Sequence, residues 1–184
     1  MKNNKTITLN IESLSHEGRG IARDHGKTTF VDYALPGETV CAHILNKKSQ
    51  FNEAKAIDIQ APSPYRIQPR CRHFGQCGAC SLQHMGSQLQ LEVKQSAVSE
   101  LLTHHANCQP QQWLPPLTAS PFGYRRKARL SVKYVQKKQK VLVGFREKQG
   151  RYVADLSECH ILANDVGSLL TPMSDCITKL SVYR

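Results

Sequence analysis

Apolar and polar positions alternate in short runs through the first third of the chain. Ile7-Thr8-Leu9-Asn10-Ile11 alternates with a period of two, the pattern of a strand with one covered face. His16-Glu17-Gly18-Arg19-Gly20 is a glycine-rich turn, Ile21-Ala22-Arg23 starts a second strand, and Asp24-His25-Gly26-Lys27 turns again. Thr28-Thr29-Phe30-Val31 is β-branched and aromatic. Ala34-Leu35-Pro36-Gly37-Glu38 then precedes Thr39 to Leu45, and Glu53 to Ile59 ends the set. Five short strands at this spacing predict a small OB-like β-barrel over residues 1–60. Such barrels bind single-stranded nucleic acid or only pack on a neighbour, and pattern does not choose between these.

The period then changes. Ala61-Pro62-Ser63-Pro64-Tyr65 to Pro69 is a proline-punctuated linker into a cysteine-rich loop, together residues 61–86. Ser87-Gln88-Leu89-Gln90 has the form of a capping box, and Leu89, Val93, Ala97, Val98, Leu101 and Leu102 recur at helical spacing behind it. A helix is expected from about Ser87 to His105, its apolar face packed in a core. From Tyr124 to Leu156 the pattern is that of antiparallel strands. Ala128, Leu130, Val132 and Tyr134 would face one side, and Lys127, Arg129, Ser131 and Lys133 the other. Val141 to Arg146 returns, and Tyr152 to Leu156 leads to Cys159. Val166, Leu169, Leu170, Met173, Ile177 and Leu180 suggest a last helix from about Asn164, which Pro172 kinks or restarts. The expected class is α+β: a five-stranded barrel, a loop, and an incomplete α/β region with an antiparallel sheet over residues 87–184.

Composition narrows the functional classes. No apolar run approaches the roughly 20 residues of a membrane span, and the polar start lacks a signal-peptide core. A cytoplasmic protein without a membrane partner is expected. No obligate protein partner is evident from the sequence. The chain of 184 residues carries a formal charge of +11, placed unevenly. Residues 1–60 hold eight Lys/Arg against seven Asp/Glu, whereas residues 125–151 hold eleven against the single acid Glu147. A cationic window of this kind attracts a polyanion and points to nucleic acid. Its candidate contacts are Arg125, Arg126, Lys127, Arg129, Lys133 and Arg146, with Phe122 and Tyr124 as aromatic neighbours. The plainer alternative is a solvated strand face.

Three of the seven cysteines fall in Cys71-Arg72-His73-Phe74-Gly75-Gln76-Cys77-Gly78-Ala79-Cys80, spaced C-x5-C-x2-C. In a reducing compartment such a cluster is a metal site before it is a disulfide framework. Cys159 is the candidate fourth ligand. Zinc sites usually show paired C-x2-C arms or histidine partners. One C-x2-C, one C-x5-C and a distant lone cysteine suit a [4Fe-4S] cluster better, with zinc and unligated thiols as alternatives. His73, His84 and His160 are read as neighbours of the ligands. Cys41 and Cys176 are expected in the core, and Cys108 has no assigned role. No phosphate-cradling glycine loop and no nucleophile–base pair is visible, so no catalytic residue is assigned.

These residues resemble a known family. Cys71 to Cys80 with Ser81-Leu82-Gln83-His84 is similar to the cluster loop of bacterial 23S rRNA (uracil-5-)-methyltransferases, the iron–sulfur-containing RNA m5U methyltransferases. His16 to Ala22 with Ala34 to Glu38 resembles their TRAM domain, an OB-like RNA-binding barrel. Gly123-Tyr124-Arg125-Arg126-Lys127-Ala128-Arg129-Leu130 resembles the start of their central domain. The resemblance maps the fourth cluster ligand onto Cys159 and implies 23S rRNA as partner. It also implies that the chain is the N-terminal part of a longer enzyme that forms 5-methyluridine from S-adenosylmethionine. In that family a cysteine of a C-terminal domain attacks carbon 6 of the uracil, and methyl transfer follows at carbon 5. None of those motifs occurs here, so the chain alone is expected to be inactive. The competing expectation is a stand-alone zinc or iron–sulfur RNA-binding module with no enzymatic parent.

Overall fold

Strands β3 (Gly20–Asp24) and β4 (Lys27–Asp32) are joined by His25 and Gly26, whose φ angles are 48° and 80°. Asp24 pairs with Lys27 across this turn. Two residues with positive φ match the right-handed twist of a hairpin, and glycine takes the second without strain. In this computed structural model, residues 6–180 are described. They divide into two units, residues 6–68 with 84–113, and residues 69–83 with 114–180.

The first unit carries a six-stranded sheet in the order β1-β5-β6-β4-β3-β2. Its remaining strands are β1 (Thr6–Asn10), β2 (Ser13–Leu14), β5 (Thr39–Lys47) and β6 (Phe51–Ala61). All pairs are antiparallel except β4 with β6. Five strands were expected; the sixth, β2, is two residues long, too short to show a period. Three register shifts interrupt β5–β6. Irregularities of this kind bend a long ribbon and increase its twist. The inward positions Leu9, Ala22, Val31, Val40, Ala42 and Ala54 are at most 4% exposed and form the core.

Glu38 organises the edge of this core. Its side chain is fully buried, and its carboxylate accepts hydrogen bonds from the Leu35 amide (2.8 Å) and the Ser63 amide (3.1 Å). Arg66 adds a two-point ion pair, Nε to Oε1 at 2.5 Å and Nη2 to Oε2 at 2.7 Å, and also donates to the Tyr33 carbonyl. Burial pushes the Glu38 carboxyl up, but Arg66 and the two amides outweigh it and hold the pKa below the ordinary value of 4.5. The proline-rich linker is therefore tied to the sheet at Ser63 and Arg66.

Helix α1 (Ser87–Ala106) has nearly the expected length, but two expectations fail. Ser87 is not its cap. Gly86 occupies the N-cap without a side-chain bond, and Gln90 donates instead to the Met85 carbonyl. Nor is its apolar face packed in a core: none of its residues is buried, and Val98 and Leu101 are 46% and 48% exposed.

In the second unit β7 (Ser131–Val135) and β8 (Lys140–Gly144) form an antiparallel hairpin. Residues 125–130 belong to no strand, although their sequence alternates: Arg125 makes one isolated parallel bridge to Leu162. Alternation supplies a covered face only where a neighbouring strand supplies partners. Ala128 is exposed alongside Lys127 and Arg129. Residues 152–156 likewise form no strand, only the bridge Arg146–Val153. The last helix begins as a 3-10 turn, Asn164–Leu169, and restarts as α2 (Leu170–Thr178), with Pro172 in its first turn. Leu170 is fully buried and Met173 and Ile177 pack on the same core, whereas Val166, Leu169 and Leu180 face out. Val141, Val143, Phe145, Leu156 and Leu162 complete that core, which also includes Cys77. Cys176 and Cys108 are exposed and Cys41 is half-buried, outside the core between the buried Val40 and Ala42, so the expected core placement fails for Cys176 and is not met by Cys41. Among the described residues no helix is long and apolar enough to cross a membrane.

Candidate metal centre

The cysteine loop is built by local backbone hydrogen bonds. The Phe74 amide donates to the Cys71 carbonyl at 3.0 Å, and the Gln76 and Cys77 amides donate to the His73 carbonyl at 3.2 and 3.0 Å. Gly75 has φ 89°, a conformation that permits this reversal. The Cys71 amide donates to Gln83 Oε1 at 3.1 Å. Gly78 lies against the backbone of residues 146–148: its amide donates to the Arg146 carbonyl at 2.9 Å, and a Cβ there would lie 3.0 Å from that oxygen.

Cys159 arrives from the far end of the unit. Its amide donates to the Gly167 carbonyl at 3.1 Å. The four cysteines Cys71, Cys77, Cys80 and Cys159 line one cavity, closed on its apolar side by Phe74, Leu156 and Ile161. Burial is the main cause that pushes the thiol pKa of Cys71, Cys77 and Cys80 up. A metal that binds them must displace their protons. Among the described residues, no three His, Cys, Asp or Glu side chains are arranged around a single ion position.

Arg72 and His73 hold the loop to the Cys159 segment. Arg72 Nε donates to Glu158 Oε1 at 3.0 Å; within the segment, His160 Nε2 lies 3.5 Å from the same oxygen. The Arg72 hydrogen bond is the chief cause that lowers the Glu158 pKa. His73 Nε2 accepts the Ser157 amide at 3.1 Å, which assigns that ring the Nδ1–H tautomer. Burial, then the neighbouring Arg72, keeps the His73 pKa below its ordinary value, in keeping with a neutral acceptor. His84 belongs to the other unit, buried with its ring 6.1 Å from Tyr33. Arg72, Glu158, Gln83 and Gly167 were not singled out from sequence. Only the adjacency of Arg72 and Glu158 to cysteines could have flagged them.

Of the basic candidates, Arg125, Arg126, Lys127 and Arg129 lie on the irregular segment before β7, Lys133 on β7 and Arg146 just after β8. Arg126, Lys127, Arg129, Lys133 and Arg146 are exposed. Arg125 is half-buried, with its guanidinium carbon 4.9 Å from the centre of the Phe145 ring. The Arg125 amide donates to Ile161 and the Ala163 amide to Arg125, which lays this stretch beside the segment that follows Cys159. Of its aromatic neighbours, Tyr124 is 57% exposed, whereas Phe122 is covered by Arg70 at 4.9 Å and His160 at 6.4 Å.

Residues 1–57 match the TRAM domain family. The chain is 51% identical over 174 residues to the 23S rRNA (uracil(1939)-C(5))-methyltransferase RlmD of Nitrosococcus oceani, covering 94% of this chain and 39% of that protein. It is 42% identical over 195 residues to the protein of the same name from Psychrobacter arcticus, covering 98% and 38%. It thus spans about two fifths of the length of the relatives it matches. A solved structure, the tRNA (uracil-54, C5)-methyltransferase of Pyrococcus abyssi with S-adenosyl-L-homocysteine, superposes with a TM-score of 0.55. That match covers 85% of this chain and 33% of the other at 20% identity, a likeness of fold. With a TRAM domain match over residues 1–57 and about 50% identity along almost its whole length, the chain is similar to about two fifths of the length of proteins named 23S rRNA (uracil(1939)-C(5))-methyltransferase RlmD.

Proposed function

We propose that this chain is the RNA-binding, [4Fe-4S]-holding part of an S-adenosylmethionine-dependent methyltransferase that forms 5-methyluridine in 23S rRNA. The observation that carries the reading is the cavity where Cys71, Cys77 and Cys80 meet Cys159, 79 residues beyond Cys80. Four thiols in one cavity, beside Phe74, Leu156 and Ile161 and with His73, Gln83, Glu158 and His160 also in the lining, supply the donors of an iron–sulfur cluster. When bound, the cluster would supply a crosslink between the loop and the Cys159 segment. The chain's own residues do the rest: Arg72 and Glu158 align the two segments, and Gln83 fixes the Cys71 amide.

In this reading residues 1–60 serve as the TRAM module, 61–86 as linker and cluster loop, and 87–184 as the first part of a central RNA-holding domain. Arg125, Arg126, Lys127, Arg129, Lys133 and Arg146 neutralise phosphates of rRNA in the cytoplasm. S-adenosylmethionine and the uracil-attacking groups belong to the complete enzyme, and this chain alone binds RNA without transferring a methyl group. The test is titration of the chain with a labelled 23S rRNA transcript, followed by incubation with labelled S-adenosylmethionine. Salt-sensitive binding without methyl incorporation is expected; absence of RNA binding at low salt contradicts the proposal.

A further inference from the structure

The turn between Arg146 and Val153 is pinned on both sides. Within the turn, the Glu147 amide donates to the Tyr152 carbonyl and the Ala154 amide to the Phe145 carbonyl, each at 2.9 Å. On the other side the cysteine loop pairs with it. The Gly78 amide donates to the Arg146 carbonyl, the Lys148 amide donates to the Gln76 carbonyl, and Cys77 bridges Glu147. Three short extended segments thus lie side by side with Arg146–Lys148 in the middle.

What this turn presents is not explained by packing. Tyr152 is 63% exposed, and the Arg151 guanidinium carbon stands 5.6 Å from its ring centre. Arg146 and Arg151 are exposed, and residues 146–152 hold three cations against the single acid Glu147. An exposed aromatic ring on a backbone-paired turn, with the Arg151 guanidinium beside it, has the chemistry that recognises an unpaired nucleotide: the ring stacks on the base and the cation meets its phosphate. We propose that the Arg146–Tyr152 turn is a binding site for an unpaired RNA nucleotide, shaped by the cysteine loop through the backbone of Gln76 and Gly78. This rests on the RNA-binding reading above and adds a stacking residue, Tyr152, to it.

The test uses the metal-loaded chain and two labelled RNAs, a hairpin with a single-stranded loop and a fully paired duplex of the same length. Variants Tyr152→Ala, Tyr152→Phe and Arg151→Ala are compared at equal iron content. Tyr152→Ala is expected to weaken binding to the looped RNA about tenfold and leave the duplex unchanged, while Tyr152→Phe keeps full affinity. Arg151→Ala is expected to lower the slope of log affinity against log salt by about 0.7. If Tyr152→Ala binds looped RNA as the parent does, while the parent still binds RNA, this inference is overturned and the broader reading stands. A parent chain that binds neither RNA overturns both.

Discussion

Gly167 and Cys159 are in direct backbone contact. The Cys159 amide donates to the Gly167 carbonyl at 3.1 Å, and a Cβ on Gly167 would lie 2.0 Å from the Cys159 carbonyl oxygen. No flexible side-chain end is available there to move aside. Gly167→Ala is therefore expected to displace Cys159, destabilise the unit by about 3 kcal/mol and lower its iron content. Thermal melting and iron quantification check both; a variant with parental values for each would show that the contact yields freely.

Gly78 holds the other side of the cysteine loop. A Cβ there would sit 3.0 Å from the Arg146 carbonyl and 3.2 Å from the Lys148 Cα. Gly78→Ala should cost about 1–3 kcal/mol and speed amide hydrogen exchange at Gly78 and Lys148.

Glu38 makes stability depend on acid. Its folded pKa lies below the ordinary 4.5, so its contribution is fully present above that value and is lost as pH falls through the folded one. Glu38→Gln should flatten the acid limb of the stability curve. Glu38→Ala, which leaves Arg66 and two amides without their partner, should cost about 3 kcal/mol at neutral pH. Denaturant titrations between acid and neutral pH read both.

The exposed cations Arg126, Lys127 and Arg129 should act through phosphates. Replacing all three by alanine is expected to reduce the salt slope of RNA binding by about 2, roughly 0.7 for each contact, on single-stranded and structured RNA alike. An unchanged slope would assign these side chains to solvent.

Much of this was legible in sequence because it is local. The period-two runs around Leu9, Val31 and Val40 located the strands that bury them, and Asp24-His25-Gly26-Lys27 announced its hairpin. The C-x5-C-x2-C spacing with Cys159 pointed to the residues that line the cavity. What was missed depends on partners distant in the chain. Residues 125–130 alternate like a strand but have no strand beside them. Glu38 looked like an ordinary turn residue, and its burial follows from Arg66, 28 positions away. Gly86 rather than Ser87 takes the N-cap of the helix, and the Gln90 side chain bonds back to the Met85 carbonyl. Gly167 carried no sequence signal, since its role comes only from the approach of Cys159.

The most direct measurement is the iron content and melting temperature of the anaerobically purified chain beside Cys159→Ser. Four cysteines on one cluster predict about four irons per chain and broad absorbance at about 400 nm for the parent, with both iron and melting temperature lowered in the variant. A colourless parent that carries zinc, or a Cys159→Ser protein with full iron and unchanged melting, would contradict it.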